Sequence, residues 1–197
     1  MKCSVCKTRD ATHMCGKCEM VVYCGEQCAN QDWVQIHAKE HSSEEHSADE
    51  IIRGRLWVGG LEALHDKTLM SRIKAVVSAV PEERFEEERL KEILGPKKDI
   101  FRVPIEDADD APIEEYFEGA AAFIDKHLRE GHTVLVHCVA GHSRSVSLVL
   151  YYLMKYKRYT LKNAFALVRK KRPTIKVNKG FRKKLKQVEA RAADSVK

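Results

Sequence analysis

The chain has 197 residues, 44% hydrophobic and 32% charged, with 35 Lys and Arg against 29 Asp and Glu. That composition describes a soluble globular protein and excludes an intrinsically disordered one. The longest wholly apolar run, Leu148 to Met154, falls far short of the ~20 residues that a membrane-spanning helix needs, so no membrane insertion is expected.

The N-terminus is polar and rich in Cys and Lys, without an apolar signal core. The expected location is therefore inside the cell, in the cytoplasm, the nucleus or both. Residue 2 is Lys2, not Gly, which excludes N-myristoylation. Six of the seven cysteines lie before residue 30, and Cys138 stands alone. An odd number in such a chain argues against a disulfide framework.

The first segment reads Cys3-x2-Cys6-x8-Cys15-x2-Cys18-x5-Cys24-x3-Cys28-x8-His37-x3-His41. Four ligand pairs supply eight thiolate and imidazole donors, enough for two tetrahedral zinc sites. Four protein ligands per ion leave no open coordination position, so both zincs are expected to be structural, with no cofactor required for catalysis. A segment this short with few large apolar residues must draw most of its stability from metal. Through Tyr23-Cys24-x3-Cys28, then Asp32-Trp33 and His37, it resembles a MYND-type zinc finger. The resemblance implies interleaved ligation: Cys3, Cys6, Cys24 and Cys28 on one zinc, and Cys15, Cys18, His37 and His41 on the other. His41 stands where the family usually has Cys. The family's fingers dock on short, often proline-containing peptides of partner proteins, which is the expectation here. Residues 1–41 carry five Lys/Arg and five Asp/Glu. That zero balance argues against a nucleic-acid backbone as partner.

Residues 42–50 are short, polar and acidic and read as a linker. The division is thus a finger over 1–41, a linker over 42–50 and a second domain over 51–197. Charge is uneven within that domain, because residues 153–197 hold sixteen Lys/Arg and only two acids. This basic region suits exposed helix faces and C-termini, where Lys and Arg are favourable without any ligand.

Four apolar runs after the linker read as strands: 55–58, 75–80, 100–105 and 133–137. Their Val and Ile content suits strands buried on both faces. Helical patterns lie between and after them, at about 61–72, 83–94, 112–130, 144–157, 160–171 and 178–192. Alternating strands and helices predict an α/β fold with a mainly parallel central sheet flanked by helices. In such folds ligands bind at the carboxyl ends of strands, and Cys138 directly follows the last predicted strand.

The stretch His137-Cys138-Val139-Ala140-Gly141-His142-Ser143-Arg144-Ser145 leads into the apolar helix from Val146. A strand, a tight loop and a helix N-terminus in succession make an anion cradle, because the first backbone N–H groups of a helix lack partners and its dipole is positive there. Arg144 brings a planar fork that grips two phosphate oxygens. The electropositive field favours thiolate, the nucleophilic form of cysteine. These residues match the His-Cys-x-x-Gly-x-x-Arg-Ser/Thr signature of cysteine-dependent protein tyrosine phosphatases, and the extended form resembles the dual-specificity branch, over roughly residues 51–190.

The resemblance implies a protein tyrosine phosphatase-like fold, a phosphoprotein substrate and a set of roles. Cys138 would be the nucleophile. Arg144 and the backbone N–H groups of Val139, Ala140, Gly141, His142, Ser143 and Arg144 would hold the phosphate. Ser145 would assist departure of the thiolate. Asp107, in Val103-Pro104-Ile105-Glu106-Asp107, would be the general acid, with Asp109 and Asp110 as rivals. His137 would orient the loop, and Asn178, in Asn178-x-Gly180-Phe181, would brace it; His142 has no side-chain role. Val177 stands where the family usually has Pro. Two other readings remain open from sequence: a phosphatase acting on RNA 5′-phosphates or phosphoinositides, and a catalytically dead phosphoprotein-binding adaptor.

Overall fold

Five strands assemble into one main sheet in a computed structural model of the chain, which describes residues 3, 6–7, 13–14, 22–25, 27–28, 47–81 and 87–194. Two short strands precede them, β1 (His13–Met14) and β2 (Val22–Tyr23), paired antiparallel in the finger. The main sheet comprises β3 (Ala48–Ile52), β4 (Leu56–Gly59), β5 (Ile73–Ser78), β6 (Asp99–Arg102) and β7 (Thr133–His137). β4, β7, β5 and β6 run parallel, and β3 adds an antiparallel edge against β4.

The helices are α1 (Lys67–Arg72), α2 (Glu87–Leu94), α3 (Glu114–Arg129), α4 (Arg144–Lys157), α5 (Leu161–Lys171) and α6 (Lys179–Asp194), with a 3-10 turn at Leu61–His65 before α1. Each predicted helix is present to within a few residues, although 61–72 is split at Asp66. Its side chain accepts from the Leu69 amide and caps α1. Of the predicted helix at 83–94, residues 83–86 lie outside the described residues.

Two-residue alternation along the strands sorts the core into two layers. Val134 and Val136 of β7, with Ala75 and Val77 of β5, pack beneath α3, α4, α5 and α6 through Phe117, Ile124, Leu150, Val168 and Phe181. Leu135 and Val76 face the other way, against Leu61, Leu64, Leu69 and Leu94. Tyr23 of the finger is buried in that second layer, and Cys28 packs against it.

One boundary needs correction. Residues 48–50, read as the end of the linker, belong to β3 and are ladder-paired with β4. Asp49 is accommodated there by its ion pair with Arg172 and Glu50 is half-buried at the sheet edge, so no apolar run marks the strand in the sequence.

Candidate active site

β7 lies at the centre of the sheet between β4 and β5, and its parallel partners carry His137 to the carboxyl edge. The next residue, Cys138, is 1% exposed and starts a loop that ends where α4 begins at Arg144. The Cys138 amide donates to the Gly59 carbonyl at 3.2 Å, and the Leu61 amide to the Val139 carbonyl at 2.9 Å, so the β4 terminus fixes the entry to the loop. Gly141 has φ +72°, and a Cβ there would lie 2.5 Å from the Gly59 carbonyl carbon. Glycine is required here both for the left-handed backbone and for the close approach.

The loop turns polar hydrogens toward the sulfur. The Gly141 amide and the Ser145 hydroxyl each reach Cys138 Sγ at 3.2 Å. Arg144 is buried at 6% exposure; its Nη1 donates to the Ile105 carbonyl at 3.2 Å, while its Nε has no hydrogen-bond partner among the described residues. A buried guanidinium with an N–H still to satisfy suits an anion in the loop.

Asp107 comes from the segment between β6 and α3. Its Oδ1 accepts from the Ser143 hydroxyl at 2.7 Å and from Asn178 Nδ2 at 2.6 Å, and its Oδ2 stands 3.9 Å from Arg144 Nε. Asn178 in turn donates its amide N–H to Ser143 Oγ at 3.1 Å and accepts from the Phe181 amide at 2.8 Å. Sequence positions 107, 143, 144 and 178 are thereby brought together at one mouth. Asp109 does something else, since its Oδ1 accepts from the Gly180 amide at 3.0 Å. His142 contributes its carbonyl to the Lys176 amide at 2.9 Å.

His137 is fully buried, and its Nδ1–H donates to the Cys138 carbonyl at 3.3 Å. Burial pushes its pKa down to about 4, with nearby Arg102 and Arg144 adding to the effect against the opposing hydrogen bond. The ring is therefore neutral at pH 7 and braces the loop.

Sequence reading missed Arg172. It is 2% exposed, and its guanidinium donates to the Gly141 carbonyl at 2.9 Å, the Ala140 carbonyl at 3.2 Å and Asp49 Oδ2 at 2.7 Å. Arg172 closes a run of basic residues at the end of α5, where its neighbours are exposed. The one local signal was Pro173, which disfavours helical backbone at the residue before it; Arg172 leaves the helix at φ −128° and ψ 89°.

In the finger, the sulfurs of Cys3, Cys6, Cys24 and Cys28 lie within 4.8 Å of one another, with Cys6–Cys24 and Cys24–Cys28 both at 3.7 Å. Zn–S bonds of about 2.3 Å in a tetrahedron put sulfurs about 3.8 Å apart, so the group fits zinc. Hydrogen bonding with Cys24 and burial push the Cys28 thiol up to about 12; a dication is what makes four such thiols ionise together. The second predicted set, Cys15, Cys18, His37 and His41, lies outside the described residues.

Comparison with known proteins agrees with this geometry. The dual specificity phosphatase catalytic domain model matches residues 57–191, and the MYND finger model matches residues 3–41. Dual specificity protein phosphatase 21 of Homo sapiens is 36% identical over 139 residues, covering 69% of this chain and 68% of its own length. Dual specificity protein phosphatase 5 of Rattus norvegicus is 43% identical over 88 residues, covering 45% of this chain and 23% of its own. Several curated relatives are matched over only 10% to 44% of their length. The crystal structure of human DUSP28 superposes with a TM-score of 0.68 at 22% identity, covering 77% of this chain and 99% of that one, and so shares the fold. The catalytic-domain model covers more than half the chain, and the protein belongs to the dual specificity phosphatase catalytic-domain family, with a MYND finger before it.

Proposed function

We propose that this chain removes phosphate from phosphotyrosine and from phosphoserine and phosphothreonine in proteins, through a cysteinyl-phosphate intermediate on Cys138, with the finger as a protein-docking module. The observation that carries the reading is the environment of Cys138 Sγ: a sulfur at the floor of a helix-opening loop, approached by an amide and a hydroxyl at 3.2 Å. Donors so placed stabilise a thiolate and, with the Arg144 fork, a bound phosphate.

In the first step the Cys138 thiolate attacks phosphorus; the S–P bond forms, the ester P–O bond breaks, and Asp107 gives its proton to the leaving oxygen. In the second, water attacks the thiophosphate, Asp107 takes the proton back, and the S–P bond breaks with the Ser145 hydroxyl donating to the departing thiolate. The sum is monoester and water to alcohol and inorganic phosphate. Asp107 is favoured over Asp109 because its carboxylate meets Ser143 and Arg144, whereas that of Asp109 meets Gly180. Ser143 and Asn178 orient that carboxylate, and His137 and Arg172 hold the loop's shape.

Two structural zincs are proposed for the finger, one on Cys3, Cys6, Cys24 and Cys28 and one on Cys15, Cys18, His37 and His41. The ions supply cross-links and take no part in the phosphate chemistry. Thiolate nucleophile and thiolate ligands both require reducing surroundings, which supports placement inside the cell.

The test compares wild type with Cys138→Ser on an aryl phosphate, then on phosphotyrosine peptide, phosphothreonine peptide, phosphoinositide and 5′-triphosphorylated RNA. Turnover of both peptides that is lost in Cys138→Ser is the expected result. Faster turnover of lipid or RNA overturns the substrate class, and no turnover by folded, reduced protein overturns the enzyme.

A further inference from the structure

A second group of metal-type ligands lies away from the phosphate loop, at the turn joining α3 to β7. His127 on the last turn of α3, Glu130 at its C-cap and His132 just before β7 place one ligand atom each within 4.8 Å of one another. His127 Nδ1 and His132 Nδ1 are 3.2 Å apart; Glu130 Oε2 lies 3.3 Å from the His132 nitrogen and 3.8 Å from the His127 nitrogen. A tetrahedral zinc with bonds of about 2.0–2.1 Å needs ligand atoms about 3.3–3.4 Å apart. The three separations bracket that value.

Four further observations converge on a cation. The backbone is already turned for it: the His132 amide donates to the His127 carbonyl at 2.9 Å and the Glu130 amide to the Lys126 carbonyl at 3.0 Å, with Gly131 at φ +86° between the ligands. His127 turns its other ring nitrogen, Nε2, toward Asp99 Oδ2 at 3.8 Å. At that distance the carboxylate acts through its charge and not through a hydrogen bond, favouring the proton on Nε2 and leaving Nδ1 free to ligate. The position is also the C-terminus of a 16-residue helix, where the dipole favours positive charge. The sequence reads His127-x2-Glu130-x-His132, and His-x4-His lies within the spacing of zinc ligand pairs.

We propose that His127, Glu130 and His132 form a three-ligand site for a divalent zinc-type cation, distinct from the finger and from the phosphate loop. Two imidazoles and one carboxylate suit zinc and its borderline neighbours, and exclude magnesium and calcium as preferred occupants. The fourth position faces solvent, since Glu130 and His132 are 43% and 35% exposed on their side chains. A bound ion staples the end of α3 to the residue preceding β7, the strand that leads to Cys138.

The experiment uses the full chain with its finger loaded, equilibrated with a modest excess of zinc and freed of unbound metal, and compares wild type with His132→Ala and Glu130→Gln. Neither variant removes His127, which packs against Phe123 with ring centroids 4.5 Å apart, so the fold is expected to survive both. Wild type should hold one zinc more per chain than His132→Ala, with weaker uptake in Glu130→Gln. Its melting temperature should rise with added zinc and not with magnesium, a rise absent from His132→Ala. Equal zinc content and equal thermal response in wild type and either variant would overturn the site.

Discussion

Arg172 Nη1 and Asp49 Oδ2 lie 2.7 Å apart across 123 residues of sequence, and their side chains are 3% and 18% exposed. The pair ties the edge strand β3 to the end of α5 directly behind the phosphate loop, because the same guanidinium holds the carbonyls of Ala140 and Gly141. Removing one partner of a buried pair strands the other charge, which typically costs about 3–5 kcal/mol. Asp49→Ala should therefore lower stability to denaturant by about 3 kcal/mol. Arg172→Lys, which cannot span two carbonyls and a carboxylate with one ammonium, should cost a similar amount. Both should also lower kcat more than they raise KM, and matched denaturation and kinetic curves check this.

Asp107 provides the second expectation. Asp107→Asn keeps the side chain's shape but has no proton to give, so kcat on a phosphothreonine peptide should fall by ~10²–10⁴. An aryl phosphate with a strongly acidic phenol needs less help and should fall less. Equal losses on both substrates would show that Asp107 acts only in positioning.

His137 sets a pH limit on the fold. Its folded pKa is about 4 and its ordinary value 6.5, so between these values the unfolded chain binds more protons than the native one. Stability from this group is present above pH 6.5 and is lost as pH falls toward 4. The difference of 2.5 pH units corresponds to about 3 kcal/mol at 1.36 kcal/mol per unit. His137→Gln should flatten the decline over that window, measured by chemical denaturation at pH 7, 5.5 and 4.

Gly141→Ala combines a left-handed backbone with a Cβ 2.5 Å from the Gly59 carbonyl carbon. Strain at such a position costs on the order of 1–3 kcal/mol. Displacing the loop that aims an N–H at Cys138 Sγ should reduce kcat by about 100-fold. Both readouts should move together, in contrast to Asp107→Asn, where stability should stay near wild type.

For the finger, metal analysis after a chelator wash and zinc reloading should return two ions per chain beyond any held at the α3–β7 turn. Cys24→Ser should lose the ion shared with Cys3, Cys6 and Cys28. Because Tyr23 is buried in the second core layer with Leu61, Leu64 and Leu135, chelation should also leave that layer more exposed to an apolar dye.

The sequence by itself determined the parts whose chemistry is local. Cys138 to Ser145 are consecutive, the strand before them and the helix after them are periodic, and an anion cradle at a strand–helix turn draws its donors from adjacent residues. The paired cysteines of the finger are likewise legible because metal spacing is written in short intervals. Tertiary structure alone decided which distant groups complete the site. The sheet order brings the Asp107 segment and Asn178 over Ser143, while the Asp109 carboxylate meets the Gly180 amide instead. It also turns Asp49, from a stretch that reads as acidic linker, into the counter-ion of a buried arginine. A charged residue in sequence looks the same whether it faces water or a buried guanidinium, because the partner that makes the difference is supplied by packing and not by neighbours along the chain.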